Sequence, residues 1–506
     1  MPNLVASTRV RTAKWSGVVV SLVIMMIRQV TWVKQFRKHG HTRTLFWVHD
    51  QVHQNFIEQV EELDGMTESL RRLLSKALSF HPGDRPLAPG KTRDAGLHHV
   101  PDDDDDMAAR CERYGFNVST QPKRRIFWGS LIADDSWHVV AIAAMEYHGL
   151  FDTISFIESN TTQIEYRRTM RFPEGSQRKR LLTDPKLWGS NTRVHVDYFY
   201  SNSSEYYKHK ELLRENDQRD RIFQRWKQNG MTHRDIGFIS DIDEVATRDF
   251  LLALQGCHVP EFFPSPSDTL PADRPHDCLQ AKVLASTYVF EGSPKCLTSG
   301  RRWWHPDFVV GECVEGIGDP RPNVPHSFQY SLNLRAPGWK DHVAEVTFRN
   351  VTVPLGPLWD AADFRMLGDE TGRQISGKSK KNDGSEKKID TAYHFHNFFE
   401  SLEVLRFKYM TYGHPHGDAV MNVSLREIDS EDVQMMLDCL SDPSIGGRDW
   451  RLANNNSEWS QVDPVLETPI AFQVIPEYIE LRHEELKQEV LRDQSLHPAK
   501  SRSLRF

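Results

Sequence analysis

Between Arg125 and Ile157 the chain spells strand, helix and strand at a spacing that few folds accommodate. Arg125 to Leu131 is an apolar run suited to a buried strand. Asp135 to Tyr147 follows as a helix, with Asp134 or Asp135 as its cap and Val139, Val140, Ile142, Ala143 and Met145 apolar. Phe151 to Ile157 is a second strand, ending in Glu158-Ser159-Asn160. Two buried strands joined through a helix pair in parallel, the βαβ unit of α/β folds. Residues leaving such strands at their carboxyl ends line the edge where α/β sheets bind ligands. Glu158 is therefore placed either to hydrogen-bond a nucleoside or to cap the turn that follows.

A charged helix, Arg214 to Asn229 with Ile222, Phe223 and Trp226 on one face, leads to a third short strand, Gly237 to Ser240. Asp241, Asp243 and Glu244 follow directly at its carboxyl end. Two carboxylates one residue apart on a tightening loop can share a divalent cation, and that cation can hold a diphosphate. Alone the pattern is weak. With 39 Asp in 506 residues, about three Asp-x-Asp pairs arise by chance, and a solvated acidic turn is the alternative. The helix and apolar strand that precede this one set it apart.

Downstream, Asp249 to Leu254 reads as a helix and Ala281 to Phe290 as a strand. Gly300 to Pro306 carries Arg301 and Arg302 beside two Trp and a His, residue types that bind phosphate or stack on rings, or else form an aromatic knot. Gly372 to Lys388 has the Gly, Ser and Lys content of a mobile loop. Tyr393 to Phe399 then brings His394 and His396, two candidate metal ligands two residues apart, before a helix from Ser401 to Tyr412. The charged helix from Glu477 to Arg492 reads as solvated and peripheral.

The amino-terminal part points to a compartment. Trp15 to Ile27 is apolar and, extended to Val33, is long enough to cross a thin bilayer as an uncleaved anchor. Val52 to Leu78 repeats apolar residues at helical spacing, as a stem helix or as packing on the main domain. His81 to Asp106, with its five-Asp run, reads as a solvated linker. The expected order is a cytosolic tail (1–14), an anchor (15–33), a stem (34–122), a main domain (123–430) and a carboxy-terminal extension (431–506). The basic residues flanking the anchor favour the opposite orientation. Six Asn-x-Ser/Thr triplets, at Asn117, Asn160, Asn202, Asn350, Asn422 and Asn455, outnumber the roughly two that composition predicts. Four of the six cysteines fall between Cys257 and Cys313 without zinc-type spacing, which suits disulfides. Triplets and cysteines together place the domain in an oxidising lumen. A net charge of -7 with mixed signs offers no nucleic-acid surface.

Four pieces occur in an order that resembles glycosyltransferase family 17: Phe151 to Thr162, Arg219 to Glu244, Tyr393 to Phe399, and Glu400 to Pro415. The family's Trp-His is Tyr393-His394 here, and its later Ser-His is Gly413-His414; Cys257 to Lys388 departs from the pattern. The resemblance implies a GT-A, Rossmann-like α/β domain that takes a UDP-sugar donor, expected to be UDP-GlcNAc, with Mn²⁺. It further implies inverting transfer of N-acetylglucosamine to a mannose-containing, N-glycan-like acceptor by a type II Golgi membrane protein. In that frame Asp241, Asp243 and His394 hold the metal, His396 competing with His394. Glu158, Asn160, Asp241, Arg301 and Arg302 face the donor. Glu244, Glu312, Asp369 and Glu370 are the candidates for the base that deprotonates the acceptor. Two rivals remain. One is a haloacid-dehalogenase-type phosphohydrolase with Asp241 as nucleophile, a motif that normally follows the first strand of its domain. The other is a non-catalytic sugar-binding relative.

Overall fold

A computed structural model describes residues 66–82, 107–133, 136–162, 167–201, 211–262, 282–303, 305–314, 317, 345–348, 351–354, 365, 373–380, 385–411, 450–452 and 468–496. The expected anchor, 15–33, lies outside them. Among the described residues no helix is long and apolar enough to cross a membrane.

The expected parallel unit is present. β1 (Ile126–Ile132), β2 (Phe151–Ser159), β3 (Arg193–Phe199) and β4 (Ile236–Ile239) run parallel in the spatial order β3-β2-β1-β4. The apolar runs of β1, β2 and β4 are buried on both faces, as interior parallel strands require, whereas the edge strand β3 is buried only at Val196 and Phe199. Helix α3 (Trp137–Tyr147) connects β1 to β2; Ser136, not Asp134 or Asp135, caps it by accepting the His138 N–H. Two earlier helices, α1 (Glu68–Leu78) and α2 (Met107–Arg113), precede the sheet. Helix α4 (Glu211–Gln228) returns the chain to β4. It lies close on the strands because two positions lack a side chain. A Cβ at Gly129 would sit 2.0 Å from Ile222, and one at Gly237 would sit 2.4 Å from the Trp226 ring.

Beyond β4, strands β5 (Glu244–Ala246), β6 (Lys282–Ala285), β7 (Thr287–Glu291), β8 (Ser293–Trp303), β9 (Asp307–Val310) and β10 (Arg373–Ile375) divide between two sheets. The first sheet completes as β10-β6-β9-β4-β1-β2-β3, with β9 antiparallel to β4. The second contains β13 (Ala392–His396) and β14 (Trp450–Leu452), in the order β14-β8-β7-β13-β5. The single strand expected from Ala281 to Phe290 is thus two. Its break is Ser286, whose N–H donates to Ile375 and whose carbonyl accepts from Thr391 and Ala392, so the chain changes sheets there.

Two expectations change. Gly372 to Lys388 is not a loop throughout: after β10 it forms a hairpin of β11 (Gly377–Lys380) and β12 (Glu386–Ile389). Gly377 is needed because a Cβ would meet Ile389 and Tyr114 within 2.8 Å. The tail helix α8 (Glu477–Leu496) is not peripheral. Tyr478, Arg482, Leu486 and Val490 recur every four residues and are all buried. Leu486 and Val490 pack on Phe399, Cys296 and the helix α6 (Leu402–Thr411), while Arg482 donates to the Phe399 carbonyl. A Tyr and an Arg within the stripe hid its period. Helix α1 packs on α3 and α8, with Ser69 bonded through both its N–H and hydroxyl to Glu485. Cys257 pairs with Cys111 across 146 residues and staples α2 to α5 (Arg248–Gly256). Asp249 adds to the staple by accepting from Arg110, Arg113 and Tyr114.

Leu486→Ala is expected to cost about 2–5 kcal/mol, the range for truncating a buried Leu, read from the urea unfolding midpoint. A shift under about 0.5 kcal/mol, the surface range, would return α8 to the periphery.

Candidate active site

The acidic turn stands where strand order reverses. β1 neighbours β2 on one side and β4 on the other, and Asp241 leaves the carboxyl end of β4, so the turn lies at a topological switch point. Local bonds set its shape. The Trp128 indole N–H donates to Ser240 Oγ at 2.8 Å. The Glu244 N–H donates to the Asp241 carbonyl at 3.0 Å, and the Asp241 N–H donates back to Glu244 Oε2 at 2.9 Å. Ile242 is buried and drives the two aspartates outward.

Each oxygen of Asp241 meets a guanidinium. Arg219 Nη2 donates to Oδ1 and Arg365 Nη2 to Oδ2, both at 3.1 Å. Arg365 also donates to Glu244 Oε1 at 2.6 Å and to Asp307 Oδ2 at 3.1 Å. Asp307 lies beside Ile239 in register and pairs with Lys282 Nζ at 2.9 Å and with His305 Nδ1 at 2.5 Å. Glu244 and Asp307 have no side-chain exposure, whereas Asp241 is 44% exposed. Burial would raise the Asp241 pKa, but Arg365 and then Arg219 outweigh it and hold the carboxyl well below the usual range. At Asp307 burial acts the same way and is overcome by His305 and Lys282.

Asp243 has a different partner. β13 pairs with β5 so that His394 lies opposite Glu244, and His394 Nε2 stands 3.5 Å from Asp243 Oδ2. Burial opposes charge on both groups; their mutual attraction wins, lowering the Asp243 carboxyl and raising the His394 imidazole. His396 shares the face two residues on, its ring 5.1 Å from that of His394. Its Nδ1 lies 2.8 Å from Glu291, a carboxylate with no exposure that also accepts from Asn397.

A divalent cation fits part of this arrangement. Asp243 and His394 offer a carboxylate oxygen and an imidazole nitrogen on one side of the cleft. Ions such as Mg²⁺ that keep several waters are bound through one or two protein groups plus substrate phosphates. Asp241 is engaged differently, each of its oxygens accepting a hydrogen bond from a guanidinium. Among the described residues no three His, Cys, Asp or Glu converge as a metal site.

The other expected site residues are scattered. Glu158 is buried and accepts the N–H groups of Arg171 and Phe172, which anchors their loop; burial raises its pKa. Asn160 Oδ1 accepts the Ser201 N–H and ties the ends of β2 and β3 together. Glu312 follows β9, and its N–H donates to His233, at the opposite end of β4 and roughly 10 Å or more from Asp241. Arg301 and Arg302 lie on β8. Asp369 and Glu370 fall outside the described residues. Sequence reasoning missed Arg219, Asp307, Arg365 and Glu291. Arg219 did carry a signal, one helix face away from Asp241 in the segment leading to β4. Arg365 carried none.

Residues 79–264 match the family model of glycosyltransferase family 17. The matched span includes β1, α3, β2, α4 and the acidic turn, and ends before His394. No curated protein and no solved structure matches the chain. The acidic turn follows the fourth strand of its sheet in chain order, not the first, which is not the arrangement of the phosphohydrolase rival.

In metal-free protein the His394 imidazole is expected to titrate above its ordinary value, and Asp243→Asn should lower it, because burial then acts with less opposition. NMR of the imidazole resonances across pH 5 to 9 checks this. An unmoved titration would mean that Asp243 does not govern His394.

Proposed function

We propose that this chain, a glycosyltransferase of family 17, transfers N-acetylglucosamine from UDP-GlcNAc to a mannose-containing, N-glycan-like acceptor with inversion at the anomeric carbon. The observation that carries this is the acidic turn at the switch point with Asp243 facing His394. A donor that lies along the carboxyl ends of β2, β1 and β4 has its diphosphate at that turn. The sheet order, a parallel block flanked by antiparallel β9, supports a GT-A domain.

A divalent cation such as Mn²⁺, when bound, supplies charge that offsets the negative charge developing on the departing diphosphate. Asp243 and His394 would hold it, His394 giving up its proton to do so. The remaining steps belong to the chain's own groups. Buried Ile242 and the bonds between Asp241 and Glu244 fix the turn, so the cleft side needs no reorganisation as charge develops. The acceptor hydroxyl attacks the anomeric carbon as the bond to the diphosphate breaks, and its proton passes to a base opposite the leaving group. Glu244 is committed to Arg365 and to its own loop, and Glu312 stands at the far edge. That leaves Asp369 and Glu370, four and five residues beyond Arg365, as the base candidates we favour.

We further propose a lumenal, Golgi-type location reached through an anchor at 15–33. The Cys111–Cys257 disulfide and the excess of Asn-x-Ser/Thr triplets support it. Protease protection of the main domain in sealed microsomes is the expected result; digestion without detergent would overturn the orientation.

Asp243→Ala should lower kcat/KM for UDP-GlcNAc with an N-glycan acceptor by at least about 100-fold, the scale for loss of one stabilising group. The fold should be retained by circular dichroism, with any fall in the unfolding midpoint coming from loss of the Asp243–His394 pair. Release of UDP measured with Mn²⁺ present is the test. Full turnover at saturating Mn²⁺ would remove Asp243 from the metal site, and a screen in which no nucleotide sugar is turned over would remove the transferase reading.

A further inference from the structure

The acidic turn contains two kinds of carboxylate. Asp243 faces an imidazole. Asp241 and Glu244, with Asp307 from the neighbouring strand, converge on one guanidinium. Asp307 is in register with Ile239 at the end of β4, so all three reach Arg365 from the edge where the ligand cleft opens. A single buried Arg needs one carboxylate for charge balance, and here three surround it. Two other cations share the load: Arg219 bonds Asp241, and Lys282 pairs with Asp307.

We propose that Arg365 is a diphosphate-binding residue of the donor site, presented by Asp241, Glu244 and Asp307, and that Asp241 is its anchor and not a ligand of the divalent cation. The proposal rests on the transferase reading and adds to it a binding residue and a division of labour within the motif. Three geometric facts carry it. Both Nη2 hydrogens of Arg365 are spent on Asp241 and Glu244 and one on Nη1 is spent on Asp307, so three of its five N–H hydrogens are accounted for by the bonds described, on a side chain 8% exposed. Asp241 is the one member of the trio with side-chain exposure, at 44%. Any cation binding directly to Asp241 would enter between two guanidinium groups already in contact with it, against the repulsion of both. A phosphate is attracted by Arg219 and Arg365 and repelled by the carboxylates they hold, Glu215 on Arg219 among them, and its oxygens match the planar fork of a guanidinium. The two cations of the site would then act side by side: a metal ion on Asp243 and His394, and a guanidinium fixed by the other carboxylates of the same turn.

Calorimetric titration of UDP into the full chain, with Mn²⁺ or with a chelator, tests this in wild type, Arg365→Gln, Arg365→Lys, Asp241→Asn and Asp243→Asn. Wild type should bind UDP measurably without metal. Arg365→Gln should weaken that metal-free binding by about 10-fold or more, and Arg365→Lys by about 3- to 10-fold, since Lys keeps the charge and loses the fork. Asp241→Asn should weaken metal-free binding while keeping the further tightening that Mn²⁺ brings, and Asp243→Asn should lose only that tightening. If Arg365→Gln does not fold, as judged by circular dichroism and thermal unfolding, Arg365→Lys carries the test. Metal-free affinity equal to wild type in the Arg365 variants would overturn the proposal. So would loss of the Mn²⁺ effect in Asp241→Asn as complete as in Asp243→Asn, or wild-type binding that requires Mn²⁺ altogether. These outcomes leave the transferase reading standing. Wild type that binds no nucleoside diphosphate under either condition would remove both.

Discussion

Lys282 and Asp307 form an ion pair in which neither side chain has any exposure. Taking two such charges out of water costs several kcal/mol per ion, and attraction repays it only with good geometry and further hydrogen bonds. The further bonds are present. Asp307 passes contact to Arg365, Arg365 to Glu244 and Asp241, and Asp241 to Arg219, giving one row of alternating charge from the ends of β6, β9 and β4 to the middle of α4. Apolar residues of the same size would stabilise the sheet at least as well. A row like this is therefore better read as keeping a defined charge pattern at the edge of a cleft than as a source of stability.

The row depends on close packing elsewhere. Arg219, midway along α4, comes within reach of Asp241 because the helix rests on Gly129 and Gly237, with Ile222 and Trp226 filling the space a side chain would occupy. Trp226 in turn donates to the Trp128 carbonyl, and Trp128 donates to Ser240, which fixes the residue immediately before the acidic turn. A substitution at either glycine would act at a distance, by lifting the helix that brings one of the two guanidinium groups.

The second sheet supplies the imidazole. Ser286 lets one continuous segment serve both sheets, and β13 threads between β7 and β5 so that His394 lands opposite Glu244. The Phe395 N–H donates to the Asp243 carbonyl at 2.7 Å, so the strand bearing the two histidines is bonded to the acidic turn itself. The spacing between Asp243 and His394 is therefore a property of the backbone ladder. Beneath it α8, α6 and Phe399 form the floor that holds β8 and the end of β13 in place.

Local pattern was enough for the parts whose physics is local. Apolar runs of strand length separated by a helical period require parallel pairing, and a polar turn after such a strand must lie at its carboxyl edge; β1, α3, β2, β4 and the position of Asp241, Asp243 and Glu244 follow from that alone. The two histidines of β13 share a face because a strand repeats every two residues. What the tertiary structure decided are contacts between residues far apart in the chain, which no period records. Arg365 reaches Asp241 across 124 residues, Cys111 reaches Cys257 across 146, and Glu485 reaches Ser69 across 416. Charge worked against legibility too: the helix carrying Tyr478 and Arg482 read as solvated, until partners in space offset the cost of burying them. A sequence states which side chains are charged. Only the fold decides which charges face one another, and hence which of two neighbouring aspartates meets guanidinium groups and which an imidazole.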